Sequence, residues 1–535
     1  MVKHFQDRNL MQKNLTIKIS PSEAGDDIAI RRLIANTLSV PQEQVTGYHI
    51  QKKSLDARSR QTWFLLNLQV FINEAFTENK LPPLHYKVVS DSNKKVVIIG
   101  AGPAGLFAAL RLIEAGIKPI LLERGKDVRA RRRDLAAINK EGIINSESNY
   151  CFGEGGAGTY SDGKLYTRSK KRGDVQRILN ILVHFGADQK ILYEAHPHIG
   201  TNKLPSIITA IRNKIIECGG KVLFNKKLID FSISNNKIKD AITSDGDKFT
   251  ADGFILATGH SARDIFNLLH QKKLQLIFKP FALGVRVEHP QSLIDSAQYH
   301  CDLRSADLPP ASYSLVQQVN NKGVFSFCMC PGGIIAPAAT APGEIVVNGW
   351  SPSKRNNPYA NSGIVVNVEE EDLRKESSLT GLQKQSPLKG LYFQQIVEQK
   401  AFLAGGGNLV APAQRLADFT KNINSATLPH CSYLPGLESA LLKDVLPPFI
   451  HQPLKEAFKE FGKKIKGYFT NEAVVVATES RTSSPVRIPR DAEKLHHPQL
   501  INLYPCAEGA GYAGGIVSAA MDGERIADKI ALSFR

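Results

Sequence analysis

Residues 94–124 read KKVVIIGAGPAGLFAALRLIEAGIKPILLER, and this stretch decides the fold. An apolar run, a glycine-rich turn, a helical apolar pattern and a second apolar run follow one another, which predicts one strand–helix–strand unit. Gly100, Gly102 and Gly105 form G-x-G-x-x-G directly after the first strand and at the start of the helix. In that position the pattern is typical of a dinucleotide-binding turn.

Each residue of this turn has a predicted role. Gly100 allows the tight turn, Gly102 lets the backbone approach a pyrophosphate, and Gly105 lets the helix pack closely on the strand. Pro103 and Ala104 then begin the helix, whose free N–H groups and dipole favour a bound phosphate. The turn therefore predicts a pyrophosphate site.

Acidic residues and glycines also follow other strand ends. Glu123, with Arg124 beside it, ends the second strand, where a carboxylate holds ribose hydroxyls and repels the 2′-phosphate of NADP. Thr258 and Gly259 follow a buried strand that ends at Ala257. The C-terminal segment CAEGAGYAGGIV places an acid at a strand end and opens a helix with Glu508, Gly514, Gly515 and Ile516. These segments favour FAD over NAD as the resident cofactor.

With these residues the chain resembles the glutathione-reductase-like FAD superfamily. The segments CFGEGGAGTYSDGKL, ATGHSARD, FSFCMCPGG, ESRTSSPVRIPRD and PCAEGAGYAGGIVSAAMDG make it similar, over roughly residues 85–535, to the bacterial FAD-dependent, NAD(FAD)-utilising dehydrogenases. The resemblance implies that Glu508 holds the ribityl or pyrophosphate part of FAD, and that Gly514–Ile516 face the pyrimidine end of the flavin. The superfamily usually has Asp where this chain has Glu508.

The pattern along the chain predicts an α/β protein of four segments. Residues 1–90 form an N-terminal α+β domain, and 91–275 the first part of a Rossmann-like FAD-binding domain with a parallel sheet and a small β-meander. Residues 276–489 form an inserted α+β substrate domain, and 490–535 return to the FAD-binding domain. Within the insertion we expect a helix over Pro453–Lys466.

Glycine dominates a second segment, Gly153–Lys164. At Gly156, Ala157 and Gly158 the backbone has at most a methyl side chain, so it can lie flat against an isoalloxazine ring or a phosphate. Thr159, Ser161 and Asp162 can exchange hydrogen bonds with that ligand, and Lys164 can neutralise its charge. We expect this loop to contact the cofactor rather than to be a flexible surface loop.

Cys328 and Cys330 form a C-x-C pair and are catalytic candidates, together with His260 after the ATG segment. Metal binding needs a second ligand pair at regular spacing, so we expect no metal site. The neighbours of the two thiols are apolar, and apolar surroundings raise a thiol pKa. We therefore expect inert packing near the flavin, with a redox role as the alternative. Arg481 and Arg487 either clamp an anionic substrate or the cofactor pyrophosphate, or tie the inserted domain to the FAD-binding domain.

Composition limits the function classes. The 535 residues are 42% hydrophobic and 22% charged, which excludes wholesale disorder and fibrous structure. Seven cysteines without a secretory leader or a membrane-spanning run predict a cytoplasmic protein with reduced thiols. The net charge of +17 attracts polyanions, although we expect the densest basic run, at 129–133, to be a solvated surface.

The leading hypothesis is an FAD-dependent oxidoreductase. A small-molecule substrate binds between the FAD-binding and inserted domains and exchanges a hydride with the flavin, which supplies that chemistry. NAD(P)H visiting the flavin is an open choice of electron donor. The alternatives are an RNA-modifying flavoprotein, which the charge motivates, a lipid reductase at a membrane surface, and a non-catalytic FAD-binding protein.

Overall fold

The N-terminal unit is a small sheet with one helix. The computed structural model describes residues 11–167 and 173–534. The elements of this unit are β1 (Met11–Ile19), α1 (Asp27–Leu38), β2 (Val45–Asp56) and β3 (Trp63–Ile72). The strands pair antiparallel in the order β1-β3-β2. Alternate residues of β3, such as Leu66 and Leu68, are buried with Ile34 of α1 in a core of their own.

The next segment contains most of a parallel sheet. Its elements are β4 (Lys95–Ile99), α2 (Pro103–Glu114), β5 (Lys118–Leu122), α3 (Val128–Glu141), α4 (Val175–His184), α5 (Leu204–Glu217), β6 (Lys221–Leu223), β7 (Leu228–Ser234), β8 (Lys237–Thr243), β9 (Lys248–Thr250), β10 (Gly253–Leu256) and α6 (Arg263–Gln271). Strands β7, β8 and β9 form the small meander. Val96 and Ile98 face one apolar core and Val97 and Ile99 another, as in a sheet covered on both faces.

The long segment that follows contains the largest sheet of the described residues and the helices around it. Its elements are β11 (Ile277–Phe278), β12 (Phe281–Pro290), α7 (Gln291–Tyr299), β13 (Val316–Val319), β14 (Lys322–Pro331), β15 (Ile334–Pro337), β16 (Val347–Trp350), β17 (Tyr359–Val368), α8 (Glu370–Lys375), α9 (Gly381–Gln385), α10 (Lys389–Ala404), β18 (Ala411–Arg415), α11 (Leu416–Lys421), β19 (Leu437–Ser439), α12 (Leu442–Val445), α13 (Pro448–Lys464), β20 (Val474–Glu479) and β21 (Val486–Arg487). Seven of the strands form one mixed sheet, β13-β14-β17-β12-β20-β18-β19.

The chain then returns to the parallel sheet. Strand β22 (Leu503–Pro505) pairs with β10, and α14 (Ile516–Ser533) packs on α2, where a Cβ on Gly523 would lie 2.2 Å from the Ala104 oxygen. The parallel sheet has the order β22-β10-β4-β5-β6. The fold is therefore α/β, as predicted, with a Rossmann-like sheet, a meander, and two α+β parts. We propose from this pairing that residues 276–489 are an insertion within one nucleotide-binding domain.

One predicted helix boundary is wrong. The helix expected from Pro453 begins five residues earlier, at Pro448, and contains Pro453 in its interior. Proline at the start of a helix loses no intrahelical bond, and Pro447 is the N-cap while Pro448 begins the helix. The third proline, Pro453, is buried inside the helix, where it packs in the core.

Candidate active site

A cavity of about 400 Å³ lies at the carboxyl ends of the parallel strands. Its wall includes the turn after β4, the residues that follow β5 and β10, and the segment between β22 and α14. The inserted region closes the opposite side with Phe327, Cys328, Asn348, Arg481 and Thr482. Ligands of open parallel sheets bind at this edge. The cavity therefore joins the nucleotide-binding sheet to the inserted region.

Most of the predicted residues lie in the wall of this cavity. They are Gly100, Gly102, Pro103, Ala104, Glu123, Arg124, Gly156, Ala157, Gly158, Thr258, Gly259, His260, Cys328, Glu508, Gly514, Gly515 and Ile516. Gly105 and Cys330 do not line it. Gly105 lies beneath the turn, where a Cβ would be 2.0 Å from the Gly100 oxygen. Cys330 is buried behind Cys328.

The glycines of the first turn differ in how much space a side chain would have at each position. Gly100 has φ +109°, and a Cβ there would lie 2.6 Å from the Ala257 oxygen. At Gly102 the nearest atom to an added Cβ is the Gly156 Cα, 4.0 Å away. Protein packing therefore requires glycine at 100 and 105 but not at 102. The open space at Gly102 fits a ligand that approaches the backbone.

Two helix N-termini open into the cavity. Gly102 is the N-cap of α2 and Gly515 the N-cap of α14, and neither helix has a side-chain cap. An added Cβ on Gly514 would meet nothing within 4 Å. Unpaired N–H groups at a helix start bind anions. The donor set fits the phosphates of FAD at α2 and the flavin's pyrimidine end at α14.

The spacing G-x-G-x-x-G occurs a second time, at Gly509, Gly511 and Gly514 before α14. A Cβ on Gly509 would lie 1.8 Å from the Thr258 oxygen, so this glycine lets the segment pack against the turn after β10. Gly514 lines the same cavity as the first turn. Both glycine turns therefore contribute to one site.

Glu123 binds three backbone N–H groups. Its Oε2 accepts from Ala101 N at 2.9 Å, and its Oε1 accepts from Gly125 N and Gly153 N, each at 2.9 Å. The residue is only 4% exposed. A carboxylate has about four acceptor sites, so one remains for a ribose hydroxyl. Glu123 also fixes the two loops that surround it.

The buried Arg131 side chain donates hydrogen bonds to the glycine-rich loop and to the residues just before it. Its Nε donates to Asn149 O at 2.7 Å and its Nη2 to Tyr150 O at 2.9 Å. Its Nη1 donates to Glu154 O and Gly156 O, each at 2.9 Å. The side chain is completely buried, and burial lowers its pKa. One guanidinium therefore fixes two carbonyl groups of this loop and two of the segment just before it.

Two expectations about this part of the chain are wrong. The basic run at 129–133 is a solvated surface at Arg129, Arg132 and Arg133, but Arg131 points inward. Thr159 does not line the cavity, because its hydroxyl is buried and donates to Glu154 O at 2.7 Å. The neighbouring Ser161, Asp162 and Lys164 do lie in the cavity wall.

The expectation that the C-x-C pair has apolar surroundings is also wrong. Lys164 Nζ lies 4.0 Å from Cys328 Sγ, and Arg286 Nη1 donates to Cys328 O at 3.4 Å. The pKa of Cys328 is lowered to about 5, first by a hydrogen bond from the Cys330 thiol and then by the charges of Lys164 and Arg286. Both cations are distant in sequence from the thiols, so the neighbouring residues gave no sign of them.

His260 and Arg481 are held by hydrogen bonds and ion pairs. His260 Nε2 lies 3.1 Å from Arg481 O, and its Nδ1 lies 3.3 Å from Glu508 Oε1. Arg481 binds Glu398 at 2.9 Å and Glu344 at 3.0 Å. The Arg481 guanidinium is thus paired with carboxylates of its own segment, 276–489, and only its backbone carbonyl contacts His260 of the other part. Arg487 instead lies over the ring of Tyr512, 5.4 Å from its centroid.

Lys226 and Lys227 line the cavity near Glu123, although no motif in the sequence pointed to them. They follow β6, whose carboxyl end lies at the same edge as those of β4 and β5. That strand order was the signal that could have revealed them. Lys227 pairs with Glu147 at 2.7 Å, as does Arg124 at 2.6 Å.

A second cavity, of about 660 Å³, lies beside α14 and is lined by charged side chains. There Arg111 pairs with Asp528 at 2.6 Å and Arg177 with Glu524 at 3.0 Å. Arg111 and Arg177 are therefore compensated, and the predicted cofactor residues line the other cavity. Within residues 11–167 and 173–534, no group of three or more His, Cys, Asp or Glu is placed to hold a metal ion. None of the helices described there combines the length and apolarity that crossing a membrane requires.

Three family models match parts of the chain. Residues 280–482 match a model described as FAD-dependent protein, C-terminal domain-like. Residues 94–268 match pyridine nucleotide-disulphide oxidoreductase, and residues 11–71 match a domain of unknown function.

The chain is also similar to individual proteins, two in sequence and two in structure. An uncharacterized protein of Clostridium beijerinckii is 39% identical over 531 residues, which is 95% of this chain and 97% of that protein. A thiamine thiazole synthase of Aeropyrum pernix is 26% identical over 175 residues, 32% of this chain and 52% of that enzyme. The 2,6-dihydroxypyridine-3-hydroxylase of Arthrobacter nicotinovorans is 10% identical, with a TM-score of 0.35 over 83% of this chain and 84% of that one. A tetracycline destructase is 11% identical, with a TM-score of 0.34 over 82% of both chains.

Proposed function

Because the chain belongs to the family of FAD-dependent oxidoreductases that includes the Clostridium beijerinckii protein, we propose that it exchanges a hydride between the flavin and a small-molecule substrate. The observation that carries this proposal is the shared cavity. One wall is formed by strand ends, glycine turns and helix N-termini together with side chains such as Glu123 and Lys227, and the other includes side chains of the segment 276–489, among them Phe327, Cys328 and Arg481. FAD bound along the first wall would present its ring to a substrate held by the second.

The first wall supplies the groups that would hold FAD. The N-terminus of α2, with Gly102 as its N-cap, would bind the pyrophosphate, and Glu123 would accept from a ribose hydroxyl. The N-terminus of α14 would face the pyrimidine end, where its partial positive charge favours the negative charge of a reduced flavin. When bound, FAD supplies the hydride chemistry of the reaction.

His260 and Glu508 would hold and transfer a proton beside the flavin ring. Arg481 O only accepts hydrogen bonds, so His260 Nε2 must carry hydrogen to bond it at 3.1 Å. Nδ1 then faces Glu508 Oε1 at 3.3 Å, and that contact is favourable only with a proton between them. We assign this shared proton to Nδ1 or Oε1. It is available to a substrate that gains or loses a proton as the hydride moves.

NAD(P)H is the electron donor that we propose. Strands β22, β10, β4, β5 and β6 form the parallel nucleotide-binding sheet of the described residues, and both glycine turns line the same cavity. A nicotinamide donor would therefore visit the open side of the cavity rather than a separate domain.

Anaerobic rapid mixing tests the hydride exchange. The FAD-loaded protein is mixed with NADH or NADPH while the visible absorbance of the flavin is followed, and free FAD at equal concentration is the control. We expect one of the donors to reduce the bound flavin, and deuterium at the transferred position to slow that reduction. Reduction by dithionite but by neither nicotinamide donor would contradict the proposal.

A further inference from the structure

A β-bulge separates the environments of Cys328 and Cys330. In the pairing of β14 with β17, Phe327 lies opposite Gly363 and Cys330 opposite Asn361, so an extra residue is inserted between them. Cys328 takes φ +48°, which is unusual for a residue with a side chain. The bulge leaves Cys328 in the cavity wall and Cys330 buried in the sheet.

The charges around this pair favour an anion. Three cations lie close together: Lys164, 4.0 Å from Cys328 Sγ; Arg286, bonded to Cys328 O; and Arg355. Two carboxylates compensate them, since Asp162 pairs with Lys164 at 3.6 Å and Arg355 at 2.7 Å, and Glu479 pairs with Arg286 at 2.7 Å. Three cations against two carboxylates leave one positive charge in this largely buried cluster, in which Lys164 is partly exposed. A thiolate at Cys328 balances that charge.

Cys330 is suited to a different task. Its Sγ donates to Cys328 O at 3.2 Å and is completely buried. The pKa of Cys330 is raised, first by its hydrogen bond to Cys328 and then by burial. The pair thus combines an accessible thiolate with a protonated thiol directly behind it.

We propose that Cys328 and Cys330 are a dithiol redox pair in the active site, and that the substrate class is a small disulfide. This inference rests on the proposed function for its electron supply. A thiolate with a second thiol behind it can form and resolve a sulfur–sulfur bond. An adduct with a carbon electrophile would be a thioether, which Cys330 could not release.

The steps balance in atoms and electrons. The Cys328 thiolate attacks one sulfur of the disulfide, forms a mixed disulfide and releases the first thiolate. Cys330 loses its proton, attacks the Cys328 sulfur and releases the second thiolate, which leaves a Cys328–Cys330 disulfide. Two electrons, which a bound reduced flavin would supply, and one proton restore the Cys328 thiolate and the Cys330 thiol, and two further protons convert the released thiolates to thiols. Overall, one disulfide is reduced to two thiols and one flavin is reoxidised.

Alkylation tests the thiolate without using turnover. The FAD-loaded protein is treated anaerobically with iodoacetamide between pH 4 and 8, and the labelled peptides are quantified by mass spectrometry. Cys301 is the internal control, because it is also partly exposed and its pKa is raised by burial. We expect Cys328 to react at least tenfold faster than Cys301 at pH 6, with a rate that falls as pH falls through about 5.

Two variants of Lys164 sharpen this test. K164M should reduce the advantage of Cys328 over Cys301, because one of the two cations is lost while Arg286 and Cys330 remain, and K164R should retain it because the positive charge remains. Equal labelling of Cys328 and Cys301 in the unchanged protein would overturn the proposal, as would full reactivity of Cys328 in K164M.

Disulfide exchange tests the redox role. The photoreduced holoprotein is mixed anaerobically with hydroxyethyl disulfide, and flavin reoxidation is followed together with peptide masses. We expect reoxidation to be at least tenfold slower in C328S and C330S and unchanged in C301S. C330S should retain the mercaptoethanol adduct on Cys328, whereas the unchanged protein should form the intrachain disulfide.

The two proposals can fail separately. Photoreduction replaces NAD(P)H, so failure of the nicotinamide reaction leaves this test intact. If C328S reoxidises as fast as the unchanged protein, or if C330S carries no adduct on Cys328, the dithiol proposal is wrong even when NAD(P)H reduces the flavin.

Discussion

The two walls of the cavity are built in different ways. The sheet wall includes the backbone of the glycine turns that leave strand ends and begin α2 and α14. The opposite wall includes side chains of the segment 276–489, and its central contact joins Lys164 to Cys328 across 164 positions of sequence. A backbone site follows from a local pattern of glycines. A site built from charges exists only after distant segments have come together.

The strongest test of this difference is G102V. Gly102 has a φ of −76°, which suits any residue, and an added Cβ would meet no protein atom closer than 4.0 Å. The variant chain should therefore fold. The branched side chain would occupy the space of the pyrophosphate. We expect FAD affinity to fall roughly 1,000-fold, about 4 kcal/mol, as measured by titration of the apoprotein with FAD.

G25V is the matched control for that variant. An added Cβ at Gly25 would also meet open space, but this residue lies in the N-terminal unit away from the cavity. It should bind FAD normally. Retention of FAD by G102V, with the same thermal stability as G25V, would mean that the open space at this turn serves no ligand.

R131M tests the loop that connects the two walls. Residues 149–156 depend on the four hydrogen bonds from this buried guanidinium, and R131M would remove all four, leaving only the Glu154 and Gly156 carbonyls with a donor from Thr159. We expect the free energy of unfolding to fall by roughly 2–3 kcal/mol, measured by urea denaturation. R129M changes an exposed arginine of the same helix, and we expect it to lower the free energy of unfolding by less than about 0.5 kcal/mol. Equal effects would contradict the role given to Arg131.

The smallest expected effect is that of C328S on cofactor binding. This residue belongs to the side-chain wall, whereas the phosphate-binding groups belong to the other wall. We expect the FAD dissociation constant to stay within about threefold, below 1 kcal/mol, while the thiol chemistry is lost. A large loss of FAD in C328S would show that the two walls do not have separate roles.

Much of the sheet wall could be predicted because its causes are local. Strand, glycine turn and helix adjoin in sequence, so residues such as Gly102 and Gly515 were identified without knowledge of the fold. The strand predicted over Gly253–Ala257 ends at Leu256, and the predicted meander is present. At these positions local preference and tertiary structure agree.

The side-chain wall could not be predicted from neighbouring residues. The residues beside Cys328 are apolar, but Lys164 and Arg286 reach it from a loop and from β12. Arg131 shows the same effect in reverse, because its charged neighbours suggest a surface whereas its own side chain is buried. In both cases the deciding interaction is a long-range contact that no periodicity records.

The position of the cofactor is decided by a crystal structure of the protein with FAD bound. We predict the pyrophosphate on the amides at the start of α2, and the flavin ring between the start of α14 and Cys328. A pyrophosphate bound elsewhere, for example in the charged cavity beside Arg111, would contradict this prediction. So would a flavin ring that leaves Gly514 and Gly515 without contact.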